Sequence, residues 1–147
     1  MAAGYALYSS STEFVLSLGQ SESPPSSCQR SVAVFTLDPS LDQNKYPSAA
    51  ERFILTKSTL NCPQHGPYYS LNDGREPDWP SGLRRYIYDA KRGKTPCGTT
   101  FSARYVCSLV ADVHRTFLKG GWAGNPRPHL RLLYEAAPLA YIAEGKK

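Results

Sequence analysis

Residues 102–116 read Ser-Ala-Arg-Tyr-Val-Cys-Ser-Leu-Val-Ala-Asp-Val-His-Arg-Thr. The spacing predicts a short amphipathic helix over residues 108–118. Leu109, Val110, Val113 and Phe117 share one face; Ser108, Asp112 and Arg115 share the other. Arg104 and Tyr105 stand just before it. A planar guanidinium, a phenol and the free N–H groups of a helix start are suited to holding an anion. Read alone, the stretch is more simply an ordinary amphipathic helix with a surface arginine.

Working outward, the segments upstream are mostly strands. Residues 2–9 are Ala-rich and are expected to be the end of a helix. Thr12–Leu18 and Ser31–Leu37 read as strands that pair antiparallel across a polar, Pro/Ser-rich loop at 19–30. A second polar stretch at 39–50 leads to a third strand at 52–56. A short strand at 68–71 ends in the turn signal Asn72-Asp73-Gly74. Residues 78–91 read as a helix capped by Asp78, with Pro80 in its first turn and Leu83, Tyr86, Ile87 and Ala90 on one face. Gly120-Gly121 breaks the helix of the Arg-Tyr stretch. A final helix is expected at 130–144, with Leu130, Leu133, Tyr134, Ala137 and Tyr141 buried and a kink or fresh start at Pro138. Arg131 and Glu135, four apart, read as an exposed ion pair. Strands first and helices later imply an α+β or layered α/β domain with a mixed sheet.

The chain has 147 residues, 41% hydrophobic and 20% charged, with a net charge of +5. These values describe an ordinary globular domain with a mild preference for anionic partners. No run of Lys and Arg forms a basic arm, so nucleic acid is not the expected partner. No apolar stretch is long enough to cross a membrane, and the N-terminus lacks the basic start and apolar core of a signal peptide. Cys28, Cys62, Cys97 and Cys107 are widely spaced and read as free thiols. Cys62 and His65 form half of a zinc pattern with no matching second half.

Several segments, in order, resemble the C-terminal half of the class I fructose-1,6-bisphosphatase family. They are residues 2–11 (Ala-Ala-Gly-Tyr-Ala-Leu-Tyr-Ser-Ser-Ser), 35–40 (Phe-Thr-Leu-Asp-Pro-Ser), 53–56 (Phe-Ile-Leu-Thr), 69–74 (Tyr-Ser-Leu-Asn-Asp-Gly), 102–116, Gly120-Gly121 and 130–138 (Leu-Arg-Leu-Leu-Tyr-Glu-Ala-Ala-Pro). Details such as Tyr-Ser-Ser-Ser look like the plastid branch, to which sedoheptulose-bisphosphatase is related. The resemblance implies a layered α/β/α sugar-phosphatase fold in the α/β class. It implies that residues 1–147 form a single C-terminal-type domain with an incomplete mixed β-sheet and polar insertions near 19–30 and 39–50.

The implied activity is release of the 1-phosphate of a sugar bisphosphate in gluconeogenesis or the Calvin cycle. Divalent metal, usually Mg2+, assists the attacking water. Asn72 and Tyr105 resemble binders of the distal phosphate, and Arg104 resembles an arginine that reaches into a neighbouring subunit's site. A homo-oligomer, dimer or tetramer, is therefore implied. Ser108 and Leu109 match positions whose backbone faces the sugar, Arg131 lies near the substrate, and Glu135 matches a metal ligand.

Three positions depart from the family pattern. Arg75 and Asn125 stand where tyrosines are usual, and His129 stands where a lysine is usual; Arg75 offers a cation in partial compensation. The motif that carries most of the family's metal carboxylates, Asp-Pro-Leu-Asp-Gly-Ser-Ser, is absent. The stretch Leu37-Asp38-Pro39-Ser40-Leu41-Asp42 aligns instead with a strand end. The chain is accordingly expected to bind sugar phosphate, to supply no catalytic residue of its own and to be inactive alone. Marginal stability from an open sheet edge is also expected. A non-catalytic sugar-phosphate-binding or subunit-interaction module is the alternative reading. The compartment expected is cytoplasmic, with the chloroplast stroma as the alternative.

Overall fold

A computed structural model describes residues 1–19, 31–63 and 65–145. Most of the loop expected at 19–30 lies outside these residues. The fold is mixed α/β and falls into two compact units, Met1–Asn61 with Arg131–Lys147, and Cys62–Leu130.

The first unit is built on an antiparallel sheet in the order β1-β2-β3-β4. Its strands are β1 (Ala2–Tyr8), β2 (Thr12–Leu18), β3 (Ser31–Leu37) and β4 (Phe53–Lys57). β2 and β3 pair as the sequence led one to expect. Residues 2–9 do not end a helix. Ala2–Tyr8 pairs along its whole length with β2, from Ala2 opposite Leu18 to Tyr8 opposite Thr12. The helix propensity of alanine, a few tenths of a kcal/mol per residue, loses to a full ladder that also buries Tyr5. Asp38 accepts hydrogen bonds from the Ser40 N–H at 2.8 Å and the Ser40 hydroxyl at 2.6 Å, so Asp38-Pro39-Ser40 is a turn at a strand end.

Tyr5, Val15, Val32 and Val34 face inward, and α3 (Ala137–Glu144) packs on β1 and β2 with Leu139 and Ile142 buried. The Tyr141 hydroxyl donates to the Met1 carbonyl at 2.9 Å.

The final helix departs from its expected form. It opens with a π-helical turn, Leu132–Ala136, and only then becomes α3, with Pro138 in the first turn. The fresh start at Pro138 was legible. The buried stripe was not: Leu133 is 83% exposed and Tyr134 70%. A π turn inserts one residue, which rotates the segment before it by about 100° relative to α3. The buried positions become Leu139 and Ile142 instead.

The second unit holds a small parallel sheet in the order β6-β5-β7, made of β5 (Tyr68–Ser70), β6 (Ser102–Ala103) and β7 (Trp122–Ala123). Between β5 and β6 run a 3-10 segment, Asp73–Asp78, and α1 (Ser81–Ala90); between β6 and β7 runs α2 (Leu109–Lys119). Asp78 ends the 3-10 segment rather than capping α1. Trp79 precedes Pro80 and is therefore extended (φ −75°, ψ 144°), which delays the helix to Ser81. The core is Tyr69, Leu71, Trp79, Ile87, Ala90 and Phe101, with Leu83, Cys97 and Trp122 packed against it. Tyr86, expected on the buried face, is exposed. α2 ends at Gly120 (φ 73°), and at Gly121 (φ 97°) a Cβ would collide with the Tyr68 carbonyl. The two glycines let β7 lie directly beside β5.

Candidate functional site

All three parallel strands end at one place. Asn72 comes two residues after the end of β5, Tyr105 two after β6 and Asn125 two after β7. The central strand fixes the other two ends. The Tyr69 carbonyl accepts the Arg104 N–H at 2.8 Å, and the Ser70 carbonyl accepts the Gly124 N–H at 3.1 Å. The chain steps from β5 to β6 on one side and then crosses to β7 on the other. Such a switch point opens a crevice at the carboxyl ends of the strands, where α/β proteins bind ligands.

A cleft sits at this point, lined by Asn72, Arg75, Trp79, Tyr105, Gly124, Asn125, Pro126 and Arg127. Its enclosed volume is about 20 Å³, room for about one oxygen-sized atom. The wall carries two guanidinium groups and no carboxylate. Asn72 uses its Oδ1 to accept the Gly74 N–H at 3.1 Å, so its Nδ2 donors are the end available to a ligand. Asn125 Oδ1 accepts the Arg127 N–H at 3.3 Å, and Asn125 Nδ2 lies 3.3 Å from His129 Nε2. The Tyr105 hydroxyl donates to Cys107 Sγ at 3.3 Å. That bond, with partial burial and the negative potential of Cys107 and Asp112, pushes the phenol above its usual range; Arg127 opposes the shift. Tyr105 thus keeps its proton at neutral pH and remains a donor.

Two residues that the sequence suggested for solvent turn out to brace the site. Asp112, expected on the polar face of α2, is 4% exposed. Its carboxylate accepts the Val106 N–H at 3.3 Å and an Arg115 guanidinium N–H at 2.7 Å. Arg115 in turn donates to the Arg104 carbonyl. Helix α2 therefore clamps the backbone on both sides of Tyr105. Cys107, at φ 61°, makes the turn into the helix. Asp112 and Arg115 share a face at i, i+3, which was visible in the sequence; that they reach back to residues 104–106 was not. Arg127 and Trp79 were also missed as lining residues, because the short strands that bring them here carry too few residues to show a period.

The remaining candidates lie elsewhere. Arg104 does not line the cleft: its guanidinium donates to the Ala103 carbonyl at 2.8 Å and lies 5.3 Å from the Tyr68 ring centre. Ser108 and Leu109 start α2, and the Ser108 side chain makes no capping bond. Arg131 and Glu135 belong to the other unit, where they form the expected ion pair at 3.2 Å. Glu135 Oε2 also accepts the Arg131 N–H at 2.7 Å, capping the π turn. Cys62, of the half zinc pattern, donates its thiol to the Thr116 carbonyl at 3.6 Å. Cys62, Cys97 and Cys107 are free thiols. Among the described residues no group of three or more His, Cys, Asp or Glu side chains could hold a metal ion.

A family model described as "Fructose-1-6-bisphosphatase, C-terminal domain" matches residues 62–146, more than half of the chain. The chain belongs to the fructose-1,6-bisphosphatase family. Among curated family members it is 43% identical to the chloroplastic fructose-1,6-bisphosphatase of Pisum sativum over 98% of its length, which is 32% of that protein. It is 41% identical to the class 1 enzyme of Synechococcus elongatus, again over 98% of this chain and 37% of the other. Among solved fructose-1,6-bisphosphatase structures, the holo form from Leishmania major superposes with a TM-score of 0.75 at 38% identity. That match covers 98% of this chain and 39% of the other. The chain thus spans about a third of the length of the curated relatives it matches. The parallel-sheet unit that carries the cleft lies within the matched C-terminal region.

Proposed function

We propose that the chain carries the sugar-phosphate-binding part of a fructose-1,6-bisphosphate phosphatase, a phosphoric monoester hydrolase. The cleft at the strand ends seats an oxygen of the phosphate that is not hydrolysed. The observation that carries this reading is the convergence of Asn72, Tyr105 and Asn125 on a carboxylate-free cleft beside Arg75 and Arg127. Amide, phenol and guanidinium donors in a site braced from behind are what a phosphate dianion needs. Sedoheptulose bisphosphate, with the same terminal phosphate, would fit the same donors.

Metal assistance, by Mg2+ in the family resemblance, finds little support in the described residues. Glu135 is a single carboxylate already bonded to Arg131, and one oxygen ligand does not make a Mg2+ site. By itself the chain would bind sugar phosphate without hydrolysing it. The position of Arg104 supports the reading that it serves a neighbouring copy, because its side chain leaves its own cleft to Tyr105. The chloroplastic and cyanobacterial relatives favour the stroma over the cytoplasm. No helix among the described residues is long and apolar enough to cross a membrane.

Calorimetry with fructose 6-phosphate tests the binding role. Saturable binding that Tyr105→Phe weakens about tenfold is expected from loss of one hydrogen bond to a charged group. Equal binding by both proteins would remove Tyr105 from the site.

A further inference from the structure

Asn72 lines the cleft from a turn whose own bonds run forward. Its Oδ1 accepts the Gly74 N–H at 3.1 Å, and its carbonyl accepts the Arg75 N–H at 3.0 Å. Both bonds lead into the 3-10 segment Asp73–Asp78, which has no buried residue. A short exposed segment of this kind holds its shape poorly by itself. Before Asn72 the chain is anchored by Leu71, 1% exposed in the core. After it, the next residue reaches back. The Asp73 carboxylate accepts the Tyr69 hydroxyl at 2.9 Å, and the same oxygen lies 3.4 Å from Lys91 Nζ.

Tyr69 is a fixed point. Its ring is 2% exposed and belongs to the core, and its carbonyl accepts the Arg104 N–H that sets the end of β6. Burial, together with the bond to Asp73, pushes its phenol above the usual range against the pull of Lys91, so the hydroxyl stays a donor at neutral pH. Lys91 follows α1, with its N–H on the Ile87 carbonyl at 3.0 Å, and its Nζ lies 5.4 Å from the Tyr69 ring centre. Asp73 does not itself line the cleft.

We infer that Tyr69 and Asp73 are positioning residues for the Asn72 amide. The Tyr69 hydroxyl, held in the core, grips the Asp73 carboxylate through a charge-assisted bond, and that grip fixes the turn from which Asn72 meets the phosphate. Lys91 neutralises the carboxylate beside an anion site. This rests on the reading of the cleft as a phosphate subsite.

A double-mutant cycle tests it. Calorimetry with fructose 6-phosphate is run on wild type, Asp73→Ala, Asn72→Ala and the double variant. Asp73→Ala is expected to bind about fivefold more weakly, yet to change binding by less than about twofold once Asn72 is already alanine. The sign is informative: a carboxylate that acted only by its charge would, when removed, tighten phosphate binding. Asp73→Asn keeps an acceptor for the Tyr69 hydroxyl and loses only an exposed pair worth little, so it is expected to bind within about twofold of wild type. Asp73→Ala binding as well as wild type or better, an equal loss with and without Asn72, or an Asp73→Asn variant as weak as Asp73→Ala each overturns the inference. The cleft reading then survives, provided that Tyr105→Phe still weakens binding. No binding by wild type removes both. If Asp73→Ala does not fold, Tyr69→Phe, which keeps the ring and removes only the hydroxyl, takes its place in the cycle with the same expected dependence on Asn72.

Discussion

At the scale of single residues, Tyr105 works through its proton. Its hydrogen bond to Cys107, partial burial and nearby negative groups raise the phenol above its usual range. A group whose folded value is raised keeps its contribution below the ordinary value, about 10 for tyrosine, and loses it as pH rises through the raised one. The phosphate ester ionises a second time near pH 6. Affinity for fructose 6-phosphate is therefore expected to climb between about pH 5 and 7 and stay flat to beyond about pH 10. Calorimetry across that range checks it; a fall between pH 8 and 9 would show that the phenol is not held protonated. Cys107 is a second residue-level case. It sits at φ 61° without being glycine, a conformation costing about 1–2 kcal/mol for an L-residue. That cost is consistent with its place at the turn that aims Tyr105. Nothing in the sequence marks it, since Val-Cys-Ser looks like any helix approach.

At the scale of elements, α2 acts as a brace. Asp112 holds the Val106 N–H and Arg115, and Arg115 holds the Arg104 carbonyl. Removing the buried carboxylate takes away the acceptor that the Val106 N–H and the Arg115 guanidinium share. Asp112→Ala is expected to lower stability by about 2–3 kcal/mol, read as a lower urea midpoint at unchanged slope, and to weaken phosphate binding through the loosened Tyr105 segment. Arg85→Ala, which breaks an exposed pair with Asp89, should change stability by less than about 0.5 kcal/mol. Equal effects from the two would show that the brace has no special role.

The elements also show what the sequence could say. The long strands β2 and β3 and the extent of α2 were legible because they run for seven residues or more with clear patterning. β6 and β7 have two residues each; no period exists at that length, so the convergence of three strand ends was invisible. The Ala-rich start was misread as helix because propensity is local and its partner strand is not. The stripe on the last helix was misplaced because a π turn leaves no trace in apolar spacing.

At the scale of the whole molecule, family membership came from ordered blocks of sequence rather than from any chemical motif, and the site followed from it only in part. Asn72, Tyr105 and Asn125 do meet; Arg104, Ser108 and Leu109 stand outside the cleft, and Arg131 with Glu135 forms a local pair in the other unit. A phosphatase reaction assisted by metal needs several carboxylates around the ion. With no such group among the described residues, phosphate release from fructose 1,6-bisphosphate by the isolated chain in magnesium is expected to equal that of Glu135→Ala. Turnover well above that variant would mean that the chain catalyses unaided.

The most direct measurement is a calorimetric titration of the purified chain with fructose 6-phosphate, repeated with Asn72→Ala and Tyr105→Phe. Wild type is expected to bind with a dissociation constant below about 1 mM, and each variant about tenfold more weakly while melting within a few degrees of it. Heats no larger than dilution for wild type, or binding that neither substitution changes, would contradict a phosphate site at the strand ends.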